Sequence, residues 1–257
     1  MARWLAGQGF PRVAILEGGL AAWIANGLSV ERYHDEAPVA SENSQTTSAG
    51  LTRAESFLPS LADRYLVGGG RPVRRRLATL FVDIAGSTRL LEHHPAETVL
   101  RIVQRFMHLV TDVALAYCGD VKDFEGDGAL LYFESPSEAA QAALAIRSAL
   151  DQQACEAAHP IAARMSLTVG HVVVGLVGSA MRQSIALIGT SVHVGARLLK
   201  HIPPGGIIGT REFVESLRAE GSALAEEFRL LEEAFEVPGS DGISVTTYAA
   251  NPDPRKT

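Results

Sequence analysis

Cysteine is nearly missing from this 257-residue chain: only Cys118 and Cys155 occur, with no partner pattern around either. That excludes a disulfide scaffold and points to a reduced compartment. Long apolar runs are missing too. No stretch approaches the ~20 apolar residues needed to span a bilayer, and the first ten residues lack the core of a signal peptide. Positive charge is in deficit: 23 Lys+Arg against 29 Asp+Glu leave a net charge of -6. Nucleic acid is therefore a poor partner, because phosphate contacts need a basic surface. The basic cluster "RPVRRR" at 71–76 reads as a solvated lead-in to a strand rather than a phosphate or lipid patch. What is present, 47% hydrophobic and 20% charged residues, suits a cytoplasmic globular protein with a substantial core.

The chain divides by composition. Residues 1–34 read as a helix end, a short strand ("RVAILEGG") and a second helix ("LAAWIANGL"), with Gly9 and Gly27 as stops. This stretch resembles the C-terminal end of a rhodanese domain. In such domains the reactive cysteine lies in a loop before the first of these helices. No such loop precedes it here and neither cysteine falls nearby, so the segment is expected to be a partial rhodanese-like unit without sulfurtransferase activity. Residues 35–50, "DEAPVASENSQTTSAG", are polar, small and aperiodic, as in a linker. A helical lead-in is expected over 51–70, with its helix at 53–66.

From residue 71 the pattern becomes regular. "LATLFVDI" (77–84) is a continuous apolar run, the mark of a buried strand, and 97–117 carries apolar residues at three- and four-residue steps, predicting a long amphipathic helix. "DVKDFEG" and "GALLYF" predict a hairpin around Gly126 and Asp127. An alanine-rich helix follows at about 136–157, then "RMSLTVGHVVVGLVG", "SIALIG", a helix at about 191–202, "GGIIGT", a further helix and two closing strands, with a tail at 251–257. The order β-α-β-β-α-β predicts an α/β fold, an α+β sandwich of the ferredoxin-like or palm type over 71–250.

Asp83 ends the first strand and is followed by "IAGST", a glycine-containing turn into a helix. The N–H groups of Ala85, Gly86, Ser87 and Thr88 at such a start are candidates for holding phosphate. Asp127 lies at the tip of the hairpin that the topology places beside the first strand. Two hard carboxylates beside a phosphate cradle make a magnesium site.

Together these segments resemble a known family. "FVDIAGST" is similar to the opening signature of class III adenylate and guanylate cyclase domains, "EGDGALLYF" to the stretch bearing their second metal aspartate, and "IGTSVHVGARL" to their transition-state helix. The likeness runs from about Leu77 to Tyr248. It implies that Asp83 and Asp127, with the carbonyl of Ile84, bind two Mg²⁺ or Mn²⁺ ions. It also implies that Arg197 stabilises charge on the α-phosphate, that His193 stands where an asparagine usually orients the ribose, and that the chain acts as a homodimer with composite sites.

The positions that read the base in that family are Asp123, usually lysine, and Ala186, usually aspartate or another polar residue. Neither matches. Lys122 is one step off, and regular alternation turns it to the other face unless a bulge intervenes. Glu125 is expected to face solvent rather than join the metals. The resemblance thus implies conversion of ATP, with GTP as the alternative, to a cyclic nucleotide and pyrophosphate. The rival is a degenerate cyclase-like module serving nucleotide binding, dimerisation or regulation. A diguanylate-cyclase palm is weakened by the turn "EGDGA" in place of "GGDEF".

Overall fold

The computed structural model describes residues 71–154, 159–179 and 182–250. The rhodanese-like segment, the linker, the helical lead-in, Cys155 and the tail expected above lie outside the described residues. In chain order the elements are β1 (Val73–Ile84), α1 (Ser87–His93), α2 (Ala96–Ala116), β2 (Asp120–Glu125), β3 (Gly128–Phe133), α3 (Pro136–Ala154), β4 (Ala163–Ser179), β5 (Arg182–Ile188), α4 (Thr190–Leu199), β6 (Ile207–Thr210), α5 (Arg211–Ala219), a 3₁₀ turn (Ala223–Glu227), β7 (Phe228–Glu236) and β8 (Ser244–Ala250). The β-α-β-β-α-β core expected from the sequence is present. The strands form one eight-stranded sheet in the order β2-β3-β1-β4-β6-β8-β7, with β5 paired to β4 off this path.

β1 begins at Val73 rather than Leu77, because the 17-residue β4 is long enough to pair Arg74, Arg75 and Arg76 with Val173, Val172 and His171. The three arginines are exposed, so the basic run is solvated, but it belongs to the strand itself. The unbroken apolar run after it follows from burial on both faces. Ala78, Leu80, Val82 and Ile84 enter the core with Phe106 and Val110 of α2 and Ile146 of α3, whereas Leu77 joins Tyr132, Val172, Val174, Ile185 and Leu187 in a second cluster. Phe106 is 2% exposed. Truncating it to alanine would cost about 3–5 kcal/mol, the lost transfer energy plus the cavity left behind.

Helix α2 starts after Pro95 and buries Val99, Ile102, Phe106, Val110 and Ala114 on one face. It ends where Cys118 adopts a left-handed φ of 57° and the Gly119 N–H donates back to the Ala114 carbonyl at 2.8 Å. Helix α4 lies so close to the sheet that a Cβ on Gly195 would stand 2.8 Å from the Phe81 ring. Buried hydroxyls on β4 fasten it there: Ser166 Oγ donates to the Gly195 carbonyl at 2.7 Å and Thr168 Oγ1 to the Ser191 carbonyl at 3.0 Å. Two of α4's backbone acceptors are thus used by the strand beneath it, and Arg197, two residues beyond Gly195, takes its position from this seat.

Candidate active site

Asp83 stands between two strands, opposite Gly128 on β3 and Arg164 on β4. The glycine is required for that seat, because a Cβ on Gly128 would lie 3.2 Å from Asp83 Cβ and 3.0 Å from the Val82 carbonyl oxygen. Asp127 occupies the turn between β2 and β3. Gly126 makes that turn with a φ of 64°, and the Ile84 N–H donates to the Asp127 carbonyl at 3.3 Å. The hairpin tip is thereby tied to the end of β1, and the charge on Asp127 is felt at Asp83.

Arg164 grips Asp83 with both prongs of its guanidinium: Nε donates to Oδ1 at 2.9 Å and one terminal nitrogen to Oδ2 at 2.7 Å. The side chains are 25% and 17% exposed respectively. Burial nevertheless holds the Asp83 carboxyl above its ordinary range. The hydrogen bonds and charge of Arg164 pull it back down, and the neighbouring Asp127 adds a further push upward.

A cleft of about 310 Å³ opens at this point, lined by Asp83, Glu125, Asp127, Arg197 and Lys200 among others. Both predicted metal aspartates and the predicted transition-state arginine therefore line one cavity within a single chain. The Arg197 guanidinium rests on the turn between β7 and β8, where a Cβ on Gly239 would stand 2.9 Å from it. His193 and Ala186 are not among the cleft's lining; His193 is exposed and Ala186 sits on β5 opposite Gly175. Glu125 is exposed, as expected, yet it lines the cleft. Of the proposed phosphate-binding residues, Ala85 already donates its N–H to the Ala162 carbonyl at 2.8 Å, which leaves Gly86, Ser87 and Thr88, at the start of the seven-residue α1.

The expected alternation along β2 is corrected by the structure. Val121 pairs with Leu131 and Asp123 with Leu130, so Lys122 is the extra residue of a bulge. Val121 packs on the helical core. Alternation then carries Lys122 to the side of Asp120, and the bulge repeats that side for Asp123. The contact between them fits: Lys122 Nζ lies 2.9 Å from Asp123 Oδ2. The lysine is 15% exposed and the aspartate 51%. Asp123 also accepts from the Phe124 N–H at 3.0 Å.

The donor set suits a hard cation. Asp83 and Asp127 offer carboxylate oxygens at one place, and the half-buried Asp83 already draws a positive group to itself. Among the described residues no three His, Cys, Asp or Glu side chains converge on one point, so further ligands would come from carbonyl, water or phosphate oxygens. Two residues of the site escaped the sequence reading. Arg164 opens an apolar strand, and its only signal was that antiparallel pairing sets the start of β4 against the end of β1. Lys200 closes α4 one turn after Arg197, and no carboxylate among the described residues pairs with it.

Residues 73–250 match the adenylate and guanylate cyclase catalytic domain family. The uncharacterized protein Rv1318c of Mycobacterium tuberculosis is 31% identical over 160 residues, 58% of this chain and 28% of that protein. Rv1319c of the same organism is 32% identical over 127 residues, 48% of this chain and 24% of that protein. The chain thus spans under a third of the length of these relatives. Among solved structures, the adenylyl cyclase CyaB from P. aeruginosa is 22% identical with a TM-score of 0.62, covering 73% of this chain and 99% of that one. The guanylate cyclase domain of RhGC from Catenaria anguillulae, in complex with GTP, is 17% identical with a TM-score of 0.60, covering 70% and 98%. At such identities the likeness is one of fold.

Proposed function

The chain belongs to the adenylate and guanylate cyclase catalytic domain family, and from that premise we propose that it converts ATP to 3',5'-cyclic AMP and pyrophosphate as a homodimer. The observation that carries the chemistry of this reading, as distinct from the dimer, is the shared cleft of Asp83, Asp127 and Arg197. Asp83 and Asp127, with the Ile84 carbonyl, would hold two Mg²⁺ or Mn²⁺ ions. When bound, these acidify the ribose 3'-hydroxyl and neutralise the triphosphate. The hydroxyl gives its proton to water, its oxygen attacks the α-phosphorus, and pyrophosphate departs with the bonding pair. Arg197 donates to the α-phosphate oxygens as their charge grows, and His193 donates to the sugar. Gly86, Ser87 and Thr88 offer N–H groups to the phosphates.

Lys122 and Asp123 together form the base contact in this proposal: the lysine holds one carboxylate oxygen and the Phe124 N–H the other, and a remaining lone pair of the carboxylate accepts from the adenine amino group. Guanine would present its O6 acceptor to the same carboxylate, so ATP is preferred.

Two observations support the dimer. Val173, Val177 and Ile188 are exposed on the β4–β5 hairpin, an apolar surface suited to a second copy. His193 is also exposed and outside the cleft of its own chain, in a place open to a second copy. Arg197, in contrast, lines its own chain's cleft, which favours a second reading in which each chain completes its site alone. No helix among the described residues is long and apolar enough to cross a membrane. The proposed setting is the cytoplasm, where nucleoside triphosphates are at hand.

The test is incubation of the purified protein with ATP or GTP and Mg²⁺ or Mn²⁺, followed by measurement of cyclic nucleotide. Cyclic AMP above cyclic GMP is expected. Nucleotide binding without either product would support the degenerate module instead.

A further inference from the structure

We propose that Arg164 is a place-holder for the divalent cation at Asp83, so that a metal enters by exchange with a guanidinium rather than by filling an open site. The inference rests on the metal role proposed for Asp83 and adds a residue to it. Both oxygens of the carboxylate are engaged, at 2.9 and 2.7 Å, by the two prongs of one arginine. These side-by-side positions are the ones through which a carboxylate grips a hard cation.

The pair is built in, because strand register sets Arg164 opposite Asp83, and both side chains are largely shielded from water. Arginine does not give up its proton in a protein, so the guanidinium can yield the carboxylate only by moving away. It cannot stay in contact while a second cation takes the same oxygens, since like charges at that separation repel strongly in a partly buried site. Mg²⁺ also sheds its water reluctantly. A metal must therefore displace a bidentate, charge-assisted pair as well as lose part of its own shell. At rest the site carries its own counter-charge, and a higher level of free cation is needed to load it than two bare aspartates would require.

The experiment measures Mn²⁺ binding to the full chain without nucleotide, by the electron paramagnetic resonance signal of free Mn²⁺, and Mg²⁺ binding by calorimetry. Arg164→Gln is expected to bind Mn²⁺ about tenfold more tightly than wild type, because the competitor is gone. Arg164→Lys, which keeps the charge but not the fork, is expected to tighten binding about threefold and serves if the glutamine variant does not fold. Adding Asp83→Asn should remove the gain in both. Unchanged or weaker Mn²⁺ binding in a folded Arg164 variant, with Asp83→Asn still lowering binding, would overturn the exchange and leave the metal role of Asp83 standing. If Asp83→Asn alters Mn²⁺ binding in neither background, the metal role falls and the exchange falls with it.

Discussion

At the metal end of the cleft, Asp83 is fixed from both sides: Gly128 leaves room for it on β3 and Arg164 binds it from β4. Further along, β2 is the edge strand of the sheet, interrupted by the bulge at Lys122, and neither Lys122 nor Asp123 is among the cleft's lining. The first region lies among central strands where backbone pairing constrains each position from two neighbours, and there the residue types are those the cyclase resemblance implies. The second region has a partner on one side only and can take up an extra residue by bulging, and there the residue types depart from the family's pattern. Phosphoryl chemistry needs two carboxylates and an arginine in one geometry, whereas a base contact can be rebuilt from a neighbouring residue if the strand shifts by one.

The sharpest break of this comparison is at the metal end. Asp83→Ala and Asp127→Ala should each lower turnover by about 10³-fold or more while circular dichroism shows the fold intact, and the double variant should be little worse, since either change dismantles one cluster. Near-normal cyclase activity in either single variant would remove the distinction between the two ends.

A smaller signal separates the two readings of Arg197. An equimolar mixture of Asp83→Ala and Arg197→Ala chains, with subunit exchange verified independently, should recover about a quarter of wild-type activity: half the dimers are mixed, and each has one intact site of two. No recovery is the outcome if the arginine serves the cleft of its own chain, as its place beside Asp83 allows.

The base end should respond more gently. A preference for ATP over GTP of about tenfold, equivalent to ~1.4 kcal/mol, suits a single partly solvated contact. Both Asp123→Ala and Lys122→Ala should reduce it in competition assays, and not additively, because the two side chains are paired. If only the lysine change alters selectivity, the lysine reads the base alone.

The smallest effect concerns stability. Burial raises the Asp83 carboxyl above its ordinary value, so the folded chain holds a proton there more firmly than the unfolded chain does. The stability from this group is fully present below the ordinary carboxylate range and is lost as pH rises through the raised value. Asparagine mimics the protonated form at all pH values. Asp83→Asn should therefore be at least as stable as wild type in urea at neutral pH, with the gap closing as pH falls into the carboxylate range. A variant less stable at neutral pH would mean that the Arg164 pair outweighs the cost of burial.

Much of the molecule was legible in one dimension because its signals are local. The apolar run at 77–84, the three- and four-residue steps of α2, the turn at Gly126-Asp127 and the four-residue spacing of His193 and Arg197 depend only on neighbours along the chain. So do the residue types at Asp83 and Asp127, and with them the kind of chemistry proposed here. Tertiary structure decided what depends on strand register. Arg164 meets Asp83 across 81 positions, Lys122 shares a side with Asp123 only because β2 carries one residue more than β3 opposes, and Ala85 gives its amide to Ala162. Register is the sum of many weak side-chain and hydrogen-bond preferences between strands distant in sequence, and no short motif encodes it.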